Sequence, residues 1–128
     1  MINTIAFIFI LLHGLVHVWF FVLAARLVEF KAEMGWNGNS WLLSGILPEP
    51  FLQILAILLY PASTLLFVIS AAGMWLQSAW LEKMLLISAI VSTFAILLFF
   101  DGSFRYIIPK GLVGLIINVI LIAWLYWH

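Results

Sequence analysis

The sequence predicts an all-α fold: an antiparallel four-helix transmembrane bundle with a long first loop that contains a short interfacial helix. Three observations carry that reading. Of 128 residues, 67% are hydrophobic and 8% charged, at a mean hydropathy of +1.28, whereas a soluble surface needs about a quarter to a third of its residues charged. No charge interrupts the chain from Met1 to Ala25 or from Pro50 to Leu81, and apolar stretches of that length cross a bilayer as helices. Two further apolar stretches follow Lys83 and Lys110, so the spans fall at about residues 2–27, 51–76, 84–100 and 108–127. Residues 1–128 form a single integral membrane domain, because no connection is long enough to bury a core of its own.

In span 1, helical spacing places His13, His17, Phe20 and Ala24 on one stripe. Gly14 lies beside the stripe and lets a neighbouring helix approach. The N-terminus lacks a basic region and a small-residue cleavage site, and its apolar stretch outruns a signal-peptide core, so it reads as a retained span. Arg26 marks the interface, and Glu29, Lys31 and Glu33 continue the helical pattern about two turns beyond the membrane.

The first connection, from Met34 to Pro50, is the long one. Gly35, Asn37, Gly38 and Asn39 are turn formers. Residues 40–47 suit a short interfacial helix capped by Ser40 or Asn39, with Trp36 and Trp41 at headgroup level. The loop serves either as a linker hugging the membrane or as a lid over the bundle.

Span 2 opens at Pro48 and Pro50, the latter suited to a first helical turn. Tyr60-Pro61 falls mid-span and frees a carbonyl one turn earlier. Trp75, Gln77, Ser78 and Trp80 mark the next interface, and Glu82 and Lys83 form a tight turn into span 3. There Ser88 and Ser92 share a face with Thr93 beside them. Asp101-Gly102 is a turn signal, Pro109 starts span 4, and Gly111, Gly114 and Asn118 share a stripe. Trp124, Tyr126, Trp127 and His128 form an aromatic belt at the exit.

The side of the first and third connections holds Arg26, Lys31, Arg105 and Lys110; the other side holds Lys83 and the amino terminus. By the positive-inside rule both termini face outward from a cytoplasmic membrane.

Depth counting puts His13, His17, Ser63, Thr64, Ser88, Ser92 and Asn118 near mid-membrane, so each helix brings a polar group to one level. Imidazoles at that depth are costly unless they face other helices, water or a ligand, which makes these seven the candidate ligand-binding residues. Arg26, Asp101 and Arg105 form a candidate interfacial charge cluster, in which Arg26 and Asp101 could pair.

Several chemistries are excluded. Net charge is zero with scattered basic residues, which leaves no footprint for nucleic acid. The absence of cysteine removes disulfide exchange, thiolate metal sites and cysteine nucleophiles. A His pair four apart can chelate one ion but needs further ligands. No carboxylate lies within a span, and adjacent turns of one helix cannot hold both faces of a haem. A metal or haem therefore requires a second copy of the chain.

The run His13-Gly14-Leu15-Val16-His17, the stretch from Gly35 to Leu42, Asp101-Gly102, Lys110-Gly111 and Asn118 together resemble a family of small prokaryotic four-span membrane proteins. Nearly the whole chain takes part, and the pattern is distantly similar to DoxX-like four-helix proteins. The resemblance implies the fold and no particular activity. Where relatives carry a Gly-Phe pair after the second histidine, this chain has Trp19-Phe20.

Three functions are compatible with these residues. The leading one is binding of a small apolar molecule, quinone or lipid-like, near His13, His17 and Asn118. The second is a structural or accessory subunit, as homo-oligomer or in a larger membrane complex, which predicts an exposed small-residue face around Gly111 and Gly114. The third is a membrane-embedded enzyme with a histidine acid/base oriented by Asp101.

Overall fold

A computed structural model describes residues 2–127, with side chains for residues 4–127; His128 and its place in the aromatic belt lie outside them. Among the described residues the chain is helical without strands: α1 (Ile2–Ala24), α2 (Glu49–Trp75), α3 (Leu81–Leu98) and α4 (Val113–Trp127). A single 3-10 turn, Ala32–Met34, lies in the first connection, and a wide turn, Ile108–Leu112, leads into α4. All four helices, α4 together with its wide turn, are long and apolar enough to cross a membrane.

The helices pack in chain order, α1 on α2, α2 on α3 and α3 on α4. As α1 advances from Phe7 to His13 to Phe20, its ring partners on α2 retreat from Trp75 to Phe67 to Tyr60. Ser70 of α2 meets Ser88 of α3, and Tyr60 meets Phe99 just beyond α3. Ser92 then meets Asn118 of α4, while Ile96 meets Gly114 and Gly111. Each helix thus runs back along the one before it.

Packing is sorted as lipid requires. Leu12, Leu58, Leu65, Phe94 and Ile120 are exposed, while His13, His17, Ser63, Ser70, Ser88, Ser92 and Asn118 are buried. Among solvating acyl chains apolar burial supplies no drive, so close packing and interhelical hydrogen bonds hold the helices together. Gly14 shows why small residues matter: a Cβ there would lie 2.6 Å from Phe67 Cβ, so α1 and α2 approach as far as glycine allows.

Element ends differ from expectation in three places. Span 1 stops at Ala24 and does not continue through Glu33. Leu27 N bonds Val22 O, Arg26 N bonds Leu23 O, and Arg26 takes φ 56°, a Schellman ending that usually uses glycine. Glu82 and Lys83 lie within the first turn of α3 and form no separate turn. The reversal falls earlier, where Gln77 (φ 50°) ends α2 in the same motif, with Ser78 N on Gly73 O and Gln77 N on Met74 O. Residues 41–46 form successive turns where a short helix was expected. Ser40 still acts as a cap: its Oγ accepts from Leu43 N at 3.1 Å, and its own N–H donates to Ser44 Oγ at 2.8 Å.

The first loop closes one end of the bundle. A helix leaves its last carbonyls without intrahelical donors, and the loop supplies donors to the end of α3. Trp41 Nε1 donates to Leu97 O at 2.7 Å, Ser40 Oγ to Leu98 O, and Trp41 N to Phe100 O at 2.6 Å. Trp36, expected at headgroup level, is instead buried against Phe99 with Phe20 and Tyr60. Its Nε1 is satisfied locally by Asn39 O at 2.8 Å. Trp41 is exposed.

Candidate functional site

Four of the seven predicted residues meet at one place. His17 Nδ1 donates to His13 O, one turn back, at 3.2 Å. A neutral ring protonated there leaves Nε2 as an acceptor, and Ser92 Oγ donates to it at 2.6 Å. Ser92 Oγ accepts in turn from Asn118 Nδ2 at 2.8 Å. Asn118 Oδ1 accepts from His13 Nε2 at 2.8 Å. Carbonyl oxygens only accept, so every donor in this relay has one direction.

Local packing holds the rings in place. His13 and His17 stand edge to face, with centroids 5.5 Å apart. His13 is also edge-on to Phe67 at 4.7 Å. The close approach at Gly14 brings Phe67 to both imidazoles, and across the bundle the stripe of Gly111, Gly114 and Asn118 faces α3 and α1. Ile96 fills the space over both glycines. The small-residue face expected to be open is therefore covered by α3.

A cavity of about 220 Å³ lies between α1 and α4, with His13 and His17 in its wall. Val16 and Trp19 of α1 and Val113 of α4 line it and are also exposed on the outer face of the bundle. It therefore opens sideways, toward the acyl chains. The wide turn Ile108–Leu112 shapes the α4 side: Leu112 N bonds Ile107 O, five residues back, and Gly111 takes φ 113°. Met34 closes one end, held by Trp19 Nε1 donating to Met34 O at 2.8 Å. No family model, curated protein or solved structure matches this chain. Its chemistry must be read from the side chains themselves.

The other predicted residues lie elsewhere. Ser63 Oγ donates to its own helix at Leu59 O (3.0 Å), the usual fate of a hydroxyl no neighbour reaches. Thr64 Oγ1 donates across to Gly14 O at 3.0 Å and fastens α1 to α2. Ser88 pairs with Ser70 at 2.9 Å, a polar clasp between α2 and α3. Thr93 Oγ1 is sealed and, among the described residues, is the one such side-chain oxygen without a partner.

The interfacial charges pair differently from expectation. Arg26, turned by its left-handed backbone, bonds Glu49 at the start of α2, not Asp101. Asp101 pairs with Lys110 at 2.8 Å, both side chains only 10% exposed. Asp101 also accepts from Asn37 Nδ2 and Ser103 N, each at 2.9 Å. Burial alone would raise the Asp101 carboxyl, but the Lys110 hydrogen bond and charge and the Ser103 N–H outweigh it and hold it below its ordinary value. Arg105 lies over the Tyr106 ring, 5.1 Å from its centroid, and lines a surface cavity with Asp101. Asp101 is thus committed to Lys110, Asn37 and Ser103, and the histidines to Asn118, Ser92 and backbone. Among the described residues no three His, Asp or Glu converge on one point.

Sequence reasoning placed Ser70 only as a residue softening the far end of span 2, and it did not find the cavity walls supplied by Ile96, Pro109 and Met34. Pro109-Lys110-Gly111 was the available signal, since a glycine two residues after proline marks a backbone free to leave helical geometry.

Proposed function

We propose that this multi-pass membrane protein binds a small, largely apolar molecule, quinone or lipid-like, that enters sideways from the bilayer between α1 and α4. What supports the reading is the side-opening cavity of about 220 Å³ with two buried histidines in an otherwise apolar wall. An apolar cavity of about 150 Å³ holds benzene, so this one suits a substituted single ring or the head of a lipid. The rest of such a ligand stays among acyl chains. In this reading the protein sits in the cytoplasmic membrane with both termini outward.

The test uses Val113→Trp, which fills the cavity from a rim residue that is itself no member of the hydrogen-bond relay. Protein purified in mild detergent is analysed by mass spectrometry for co-purifying small molecules. A bound amphiphile present with the parent chain and lost with Val113→Trp, at unchanged thermal stability, supports the reading. An empty parent protein, or equal retention by the filled variant, refutes it.

A further inference from the structure

We infer that the cavity selects a ligand head that donates a hydrogen bond, a hydroxyl and not a carbonyl. This rests on the ligand-binding reading above and narrows its quinone or lipid-like class to hydroxyl-bearing heads, a quinol or a lipid alcohol, and away from the oxidised quinone. Of the side chains lining the cavity only three carry N–H donors, and all three are engaged. Trp19 Nε1 is held by Met34 O, His17 Nδ1 by His13 O, and His13 Nε2 by Asn118 Oδ1. Pro109 brings no backbone N–H to the wall.

The relay decides what is left over. Its direction starts at His13 O, which can only accept, and passes through His17, Ser92 and Asn118 back to the His13 ring. Asn118 Oδ1 requires the proton on His13 Nε2, so His13 Nδ1 keeps its lone pair. Among the described residues that nitrogen has no partner. It is not sealed either, since among the described residues Thr93 Oγ1 is the one buried side-chain N or O both sealed and unpartnered. His13 and Gly114 both line the cavity, and Cε1, the ring atom bonded to Nδ1, lies 3.7 Å from where a Cβ on Gly114 would stand. The wall therefore offers an acceptor and no free side-chain donor. A hydroxyl completes His13, whereas a carbonyl oxygen at that nitrogen would place lone pair against lone pair. Phenolic and aliphatic alcohols share this chemistry.

Affinities of four probes for the purified protein in lipid nanodiscs test the inference: 4-hexylphenol, 1-decanol, 4-hexylanisole and 4-hexylacetophenone. Binding of 4-hexylphenol or 1-decanol about tenfold tighter than the anisole and the ketone is expected, the scale of one desolvated hydrogen bond; the tighter alcohol identifies the source class. On binding, the ¹⁵N signal of His13 Nδ1 should move while that of His17 Nδ1 stays, a readout needing no variant. If the anisole or ketone binds as tightly as the alcohols, the inference is overturned and the cavity remains a binding site. If none of the four binds, the ligand-binding reading itself fails.

Discussion

His17 Nε2 and Ser92 Oγ lie 2.6 Å apart although 75 positions separate them in the chain. The bond ties α1 to α3 at mid-bundle, and Asn118 joins it from α4. Ser92→Ala leaves two buried groups, His17 Nε2 and Asn118 Nδ2, without their partner. The expected loss is about 1–2 kcal/mol, given that interhelical hydrogen bonds in membranes run to about 1.7 kcal/mol. The double variant Ser92→Ala/His17→Phe should lose less than the sum of its single variants, because residues of one network are non-additive. Unfolding in mixed micelles measures both.

Thr93 presents the opposite case. Its hydroxyl is sealed without a partner, so removing it sacrifices no bond. Thr93→Val keeps the shape and should stabilise by about 1 kcal/mol, the low end of the cost of an unsatisfied buried group. A stability equal to or below the parent in the same micelles would show that the hydroxyl has a partner.

Two glycines at different helix contacts should respond differently to alanine. At Gly14 the new Cβ would lie 2.6 Å from Phe67 Cβ, an atom fixed to the helix backbone, so α1 and α2 must separate. The expected cost is about 1–3 kcal/mol. At Gly114 the nearest atom is Ile96 Cδ1 at 3.2 Å, the free end of a flexible side chain. Gly114→Ala should change stability by no more than about 0.5 kcal/mol.

The Asp101–Lys110 pair sets an acid limb. The Asp101 carboxyl titrates lower in the folded protein than its ordinary value. Its contribution to stability is complete above the unfolded value, about 3.9, and is lost as pH falls through the lower, folded value. Asp101→Asn should flatten the stability profile below about pH 4. Lys110→Met leaves the nearly buried carboxylate without its cation and should cost about 3 kcal/mol at neutral pH.

Orientation can be read without background, because the chain has no cysteine. Glu33→Cys and Glu82→Cys mark exposed positions on opposite sides and leave every Lys and Arg in place. In intact cells an impermeant maleimide should label Glu82→Cys, while Glu33→Cys reacts only after permeabilisation. The reverse pattern would invert the topology.

Much of this was legible in residue spacing. The apolar stretches set the four spans, and helical period put His13, His17, Phe20 and Ala24 on the face that is buried. The same period aligned Gly111, Gly114 and Asn118. Pairing was less legible. Ser63 and Ser92 are the same residue at similar depth, yet Ser63 bonds its own helix and Ser92 bonds a neighbour. The difference lies in which helix faces come close, and spacing along one helix does not encode that. The end of α1 was also hidden, because Arg26 occupies the left-handed position where glycine would have signalled a stop. That misplaced its charge and hid Glu49 as its partner.

The clasp between the first loop and the end of α3 bears on biosynthesis. Trp41 takes its carbonyl partners from Leu97 and Phe100, which leave the ribosome long after it does. Until the third span has been inserted, that loop must satisfy its backbone with water or headgroups. The Trp36 indole likewise has no Phe99 to rest on. Sealing of that end is therefore a late event in assembly, and a nascent chain truncated before Phe99 should leave the loop open to protease.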